Sequence, residues 1–187
     1  GTGGITGVNS GAISNSVLRN KGNVHNTGSS NNVGGIFGVK DAGDITDSTL
    51  TNEGVVAGNE NVGGLIGLNK VKITRSNLTN EIEACVVGLR NVGGLVGTNN
   101  GSLAGARDAA DNYYKYQVYN NGVLTSGNMA ADGSLLAGAG TNIGGLIGTN
   151  NGYLAGAYNT GALAADGSAN VGGIVGNNSG TVDQVFN

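Results

Sequence analysis

Few residues in this chain could carry chemistry. His25 is the only histidine, expected in a polar turn, GNVHNTG, so neither a Ser-His-Asp or Cys-His arrangement nor a multi-histidine metal site can be assembled. Asp41, Asp44 and Asp47 cluster in KDAGDITDS, and Glu81 and Glu83 lie in NEIEA. Glycoside hydrolysis needs two carboxyl groups facing each other across roughly 5 to 9.5 Å, whereas an Asp cluster on a turn reads more simply as a solvated corner. Cys85 is the only cysteine, which excludes an internal disulfide and a cysteine-built metal site and predicts that it fills an apolar slot. Four of the six tyrosines, Tyr113, Tyr114, Tyr116 and Tyr119, gather around Lys115. Such a cluster can stack on sugar rings or anchor a protein contact; the plainer alternative is that it covers an apolar flank. These five residues are the candidate ligand-binding set, and no catalytic residue, metal site or cofactor is expected.

Composition narrows the classes further. The 187 residues carry a formal charge of -3, with nine basic residues scattered and no basic run, so nothing is suited to a phosphate backbone and nucleic acid is excluded as a partner. No P-loop and no G-x-S-x-G elbow occurs. The least charged run, residues 133–149, carries Asn142 and too many glycines to span a bilayer, so no membrane insertion is expected. The 38 glycines and the absence of proline and tryptophan are unusual for a compact globule. A disordered linker would share the Gly, Asn and Ser content, yet regularly spaced Ile, Leu and Val within a 38% hydrophobic content predict packed structure. The chain opens inside a repeat, at GTGGITG, and stops soon after another, at NNSGTVDQVFN, which predicts a piece of a longer protein with its targeting signals elsewhere.

The repeat that positions these residues is GTGGITG at 1–7, NVGGIFG at 32–38, NVGGLIG at 61–67, NVGGLVG at 91–97, NIGGLIG at 142–148 and NVGGIVG at 170–176. Its first paired glycines are Gly3, Gly34, Gly63, Gly93, Gly144 and Gly172, giving steps of 31, 29, 30, 51 and 28. A period near 30 signals a solenoid, propeller or array. Each unit offers three apolar segments of about five residues, rich in Ile and Val and bounded by Asn, Gly, Ser and Asp, which is the strand and turn signature. Helical repeats are disfavoured because each glycine costs a helix roughly 1 kcal/mol, and propeller blades need longer units with aromatic signatures.

The expected fold is therefore all-β: a right-handed parallel β-helix, or β-solenoid, of about six coils of three short strands, forming a single domain over 1–187. Right-handedness follows from the general crossover preference. At about 4.7 Å per coil the rod would be on the order of 28 Å long. Ile5, Ile36, Leu65, Leu95, Leu146 and Ile174 should stack inside, and Asn32, Asn61, Asn91, Asn142 and Asn170 should form an amide ladder at a corner. Alternation would turn Ile66 outward, which its apolar character contradicts unless a bulge or a covering segment intervenes. Open terminal coils predict end-to-end self-association.

The fourth unit is longer. TNNGSLAGARD (98–108) matches TNNGYLAGAYN (149–159), and MAADGS (129–134) matches LAADGS (163–168). This alignment assigns residues 109–125, which hold the tyrosines, and residues 135–140 to insertions. Asn121-Gly122 is a hairpin signal, so 109–125 is expected to be a lateral insertion forming a β-hairpin or flap. Calcium nonapeptides and a regular threonine ladder for ice are absent, and the sequons Asn77-Leu78-Thr79 and Asn177-Asn178-Ser179 are unremarkable at this asparagine density.

The run N-[VI]-G-G-[LI]-x-G-x-N-x-G-x-[LI], fullest in NVGGLVGTNNGSL and NIGGLIGTNNGYL, resembles the GLUG motif of large bacterial surface and secreted proteins. These include filamentous haemagglutinin-type adhesins and the non-catalytic parts of some IgA-specific proteases. The resemblance covers nearly the whole chain outside the interruption, and the first copy departs from it at Thr2 and Thr6. It implies a non-catalytic segment of a secreted or surface-displayed bacterial adhesin, a stalk whose lateral loop meets a host or bacterial surface glycan or protein. The alternative is a passenger segment of a secreted protease or polysaccharide-degrading enzyme.

Overall fold

The computed structural model describes residues 1–28, 31–105, 117–130 and 132–187. Among them every regular element is a strand, and all inter-coil pairing is parallel, in stacked sheets that run along a β-solenoid. The second coil shows the plan: Val33–Gly34, Phe37–Lys40, Ile45–Thr46, Thr49–Asn52 and Val55–Ala57, after which Glu60–Gly63 begins the third. The three expected apolar segments are all present, but two are bent, so each of the first three coils carries five short strands where three were expected, while in the fifth and sixth the middle segment is one strand, Tyr153–Asn159 and Thr181–Phe186. The glycine phrase breaks at its second glycine, and the next segment breaks at Asn15, Asp47 and Arg75, which hold φ of 49°, 51° and 49°.

Those bends decide which side chains are buried. Val33, Val62, Val92 and Ile143 fall on one small core, and Ile36, Leu65, Leu95 and Leu146 on a larger one, all 0% exposed. Phe37, Ile66, Val96 and Ile147, the residues that simple alternation turns outward, also enter the larger core. The chain turns a corner at Gly64-Leu65, so both Leu65 and Ile66 point inward with no bulge and no covering segment. Ile5 departs from its column, being 49% exposed. Burying a Leu or Ile side chain contributes about 1.5 to 3 kcal/mol, so two aliphatic columns replace the aromatic core-fillers that the composition lacks.

Polar ladders run alongside. Asn32, Asn61, Asn91, Asn142 and Asn170 stack through 2.8 Å amide bonds at the expected corner. All five have positive φ, between 51° and 67°, a region that asparagine tolerates better than other non-glycine residues. Two further ladders run through the interior and end on the exposed Asn187 and Asn178. Asn20, Asn52, Asn80, Asn120, Asn159 and Asn187 form one; Asn69, Asn99, Asn150 and Asn178 form the other.

In the second of these interior ladders Lys40 stands where Asn9 and Asn69 stand in neighbouring coils. It is 0% exposed, and its ammonium donates to the carbonyls of Gly11, at 2.7 Å, Ala42 and Gly43. Burial pushes its pKa below 10.5, with Asp44 and Asp41 opposing the shift. The unfolded chain therefore binds the proton more tightly, so stability should rise as pH climbs through the window just under 10.5. Lys40→Met leaves three carbonyls without a donor and is expected to cost about 2 kcal/mol, abolishing that pH-dependent rise; Lys40→Asn should recover part of the loss by rejoining Asn9 to Asn69. Urea midpoints measured across the window check both.

The register of the fourth unit corrects the expected insertion boundaries. The offset to the next coil is 51 at Leu103 and Leu154, 39 at Val118 and Ala157, and, once the fifth coil has begun, 28 at Thr141 and Ala169. The extra residues thus number 12 between Leu103 and Val118 and 11 between Leu124 and Thr141. Within the expected insertion 109–125, residues 109–116 lie outside the described residues. Val118–Asn120 and Val123–Met129 are coil strands, each paired in parallel to both neighbours. Asn121-Gly122 is accordingly a coil corner, where Asn120 Nδ2 donates to the Gly122 carbonyl at 3.0 Å, and not a hairpin turn. The hairpin lies further on, where Gly127, Asn128 and Met129 pair antiparallel with Ala137, Leu136 and Leu135.

Candidate functional site

The candidate site lies on the outward face of the largest sheet, built from the bent middle segment of each coil. Along Thr49–Asn52, Asn77–Asn80 and Val118–Asn120 the inward residues are Leu50, Leu78 and Val118, alternating with the ladder asparagines Asn52, Asn80 and Asn120. Alternation over two residues then places Arg19, Thr51, Thr79, Tyr119, Tyr158 and Phe186 in one column facing away from the core, in which Thr79 is only 5% exposed. Tyr119 and Tyr158 stack with ring centroids 5.0 Å apart and planes 6° from parallel, the spacing that parallel register imposes on identical neighbours. Burial, and then the proximity of Tyr119, raises the pKa of the Tyr158 phenol.

The column changes from threonine to tyrosine between the third and fourth coils, and a shallow depression of about 410 Å³ lies at that step. Tyr119 forms its wall, Thr49, Thr51, Asn77 and Thr79 its floor, and Glu81 and Gln117 its rim. The Asn77 side-chain oxygen accepts from the Gln117 backbone N–H at 2.9 Å. The hydroxyls of Thr49, Thr51 and Thr79 have no hydrogen-bond partner among the described residues. Of the five residues expected to bind a ligand, Tyr119 is at this site, whereas Tyr113, Tyr114, Lys115 and Tyr116 lie outside the described residues.

The other reactive residues have structural surroundings. Asp41 pairs with Lys70 at 2.8 Å, Asp47 holds Arg75 through contacts of 2.8 and 2.7 Å, and Asp44 accepts the Lys72 backbone N–H at 3.1 Å. Each bond joins one coil to the next, and the Arg75 guanidinium holds the Asp47 carboxyl below 3.8. Any stabilisation from this pair is present above 3.8 and is lost as pH falls through the depressed folded value. Cys85 is half-buried in the strand Cys85–Gly88, opposite Val55 and Val123. Burial raises its pKa, with a Thr125 hydrogen bond opposing, so the thiol is less nucleophilic than a free cysteine. His25 belongs to the strand Val24–His25, paired with Ala57, where a polar turn was expected. It borders a hollow of about 500 Å³ together with Asn26, Gly58 and Met129. Among the described residues, no three His, Cys, Asp or Glu side chains are grouped to hold a metal ion, and no helix is long and apolar enough to cross a membrane.

Tyr158, the threonine floor and Gln117 were not singled out by sequence reasoning. The available signal was the recurrence of Asn-x-Gly at Asn20, Asn52, Asn120 and Asn159, which sets the register of Tyr119 against Tyr158.

The fold defines the class: a parallel β-solenoid repeat protein with a polar outer sheet stepped by two stacked tyrosines. Comparison with family models, with curated proteins and with solved structures finds no match.

Proposed function

We propose that this chain is a non-catalytic β-helical segment of a bacterial cell-surface or secreted adhesin, acting as a rigid stalk that presents a lateral contact to a host or neighbouring-cell ligand. The observation that carries this reading is the continuity of the inter-coil bonding. The ladder from Asn20 to Asn187 crosses every coil through amide bonds of 2.8 to 3.0 Å. Buried, fully paired polar networks rigidify the structure that contains them, and stiffness is what a stalk requires. The resemblance of the repeated glycine phrase to the GLUG motif supports the same reading.

The alternative, a passenger segment of a secreted protease or polysaccharide-degrading enzyme, could place its carboxylates at Asp44 and Asp47. Both are held in inter-coil bonds, and the Asp47 pKa is shifted away from that of a general acid. The test is to incubate the purified chain with bacterial and host cells and with their surface polysaccharides. Saturable cell binding without new reducing ends is expected, unchanged in the Asp44→Ala/Asp47→Ala double variant. Polysaccharide cleavage lost in that variant would sink the adhesin reading in favour of the enzyme.

A further inference from the structure

The geometry points to the depression walled by Tyr119 as a binding site for one neutral pyranose unit of a surface glycan. This deepens the adhesin reading, and rests on it, by naming the chemistry of the contact. In the column Thr51, Thr79, Tyr119, Tyr158, the two tyrosine rings are stacked, parallel to within 6° and with centroids 5.0 Å apart. Tyr158 backs one face of the Tyr119 ring and holds it in place. The other face looks along the rod toward Thr79, which is only 5% exposed and whose short side chain leaves the third place in the ring stack without a ring of the protein's own, beside the depression. The open place is about one coil spacing deep, roughly 4.7 Å, which suits the C–H face of a pyranose lying against an aromatic ring. A ligand seated there continues the stack that the protein begins.

The floor selects among flat ligands. Thr49, Thr51 and Thr79 offer hydroxyls that no described residue engages, each able to donate and accept. Gln117 adds an amide and Glu81 a carboxylate at the rim, and a carboxylate accepts from adjacent sugar hydroxyls. Among the described residues no cation lines the depression itself; Arg19 stands beside Thr51 in the next coil and reaches Glu81 electrostatically, and the Glu81 carboxylate at the rim disfavours a sulfated, phosphorylated or acidic sugar. A purely aromatic ligand would stack equally well but leave the three threonine hydroxyls unpaired. The volume, about 410 Å³, falls within the range of small-molecule sites. Its shallow, polar form predicts weak binding per site, with dissociation constants on the order of millimolar.

The test uses the full chain and a panel of neutral hexosides and N-acetylhexosaminides, with a sulfated sugar and indole as comparators, followed by saturation-transfer NMR and titration. At least one neutral pyranoside should bind with its ring protons saturated and in preference to both comparators. Tyr119→Ala should weaken that binding about tenfold or more, Tyr119→Phe should stay within about twofold, and Thr51→Val/Thr79→Val should lose about fivefold. All four side-chain changes lie on the outward column, and amide spectra report whether the ladders persist. Absence of neutral-sugar binding, preference for either comparator, or equal binding by Tyr119→Ala and Thr51→Val/Thr79→Val overturns the site. Cell adhesion measured on the same samples separates the two readings. Adhesion without sugar binding removes the site and keeps the adhesin, whereas sugar binding without adhesion keeps the site and removes the adhesin.

Discussion

Gly64→Ala should abolish the cooperative fold of this chain or lower its stability by at least about 3 kcal/mol, among the largest effects of any single methyl group. A Cβ at position 64 would stand 2.1 Å from the Gly94 carbonyl oxygen and 2.6 Å from the Asn80 side-chain oxygen. Neither neighbour can retreat. The Gly94 carbonyl belongs to the next coil's copy of the phrase, and Asn80 is fixed between Asn52 and Asn120 by 2.8 Å bonds. Overpacking ordinarily costs about 1 to 3 kcal/mol when side chains can shift, and here the clash is with backbone. The same contact recurs at Gly35, Gly94 and Gly145, each meeting the next coil's carbonyl within 2.3 Å. Alanine at any of them should act alike, whereas alanine at Gly133, with nothing within 4 Å but a φ of +84°, should cost about 1 kcal/mol from backbone strain alone. Urea unfolding followed by circular dichroism separates these outcomes.

This packing explains why the glycine phrase was the most legible feature of the sequence. The second glycine of each pair is the place where one coil's backbone rests on the next, so it recurs at every coil and announces the period. The aliphatic residues after it, Ile36, Leu65, Leu95 and Leu146, were legible for a related reason: a column in register repeats the same environment. Ile66 was not legible, because period-two alternation assumes a continuous strand and the chain bends at Gly64-Leu65. Residue types alone do not disclose a bend inside an apolar run.

The candidate site was only partly legible, and the cause is local. MAADGS and LAADGS suggested a register of 34 residues, but Ala-Asp-Gly-Ser suits any chain reversal. After Met129 its Asp132-Gly133-Ser134 stands between the hairpin strands, with Asp132 accepting the Ser134 N–H at 2.9 Å. At 163–168 it follows the coil strand Leu163–Ala164. The register the protein uses is 39, carried by Asn120-Asn121-Gly122 against Asn159-Thr160-Gly161. The buried amides of Asn120 and Asn159 outweigh exposed turn residues such as Asp132 and Gly133, since each buried amide must find its partner in the neighbouring coil. With the register displaced, Tyr119 was assigned to a loop, and its stack on Tyr158 could not be foreseen.

Asn80→Ala should destabilise the chain by about 2 to 4 kcal/mol, although it removes a small, neutral, polar side chain. Asn80 is 0% exposed. Its oxygen accepts from Asn52 Nδ2 and its Nδ2 donates to the Asn120 oxygen, both at 2.8 Å. Truncation leaves a buried donor on one side and a buried acceptor on the other, each costing about 1 to 3 kcal/mol, less whatever water can repair. Asn52 Nδ2 retains its 2.9 Å bond to the Gly54 carbonyl, which holds the total near the middle of the range. Asn80→Asp distinguishes a broken ladder from a mere cavity. The carboxylate fills the same volume and still accepts from Asn52, but it cannot donate to Asn120 and brings an unpaired charge into the interior. It should therefore be at least as damaging as alanine at neutral pH and recover on acidification, once the protonated carboxyl can donate. Denaturant midpoints for the two variants at neutral and acid pH provide the measurement. An aspartate variant as stable as the parent at neutral pH would show that the ladder contributes little beyond its packing.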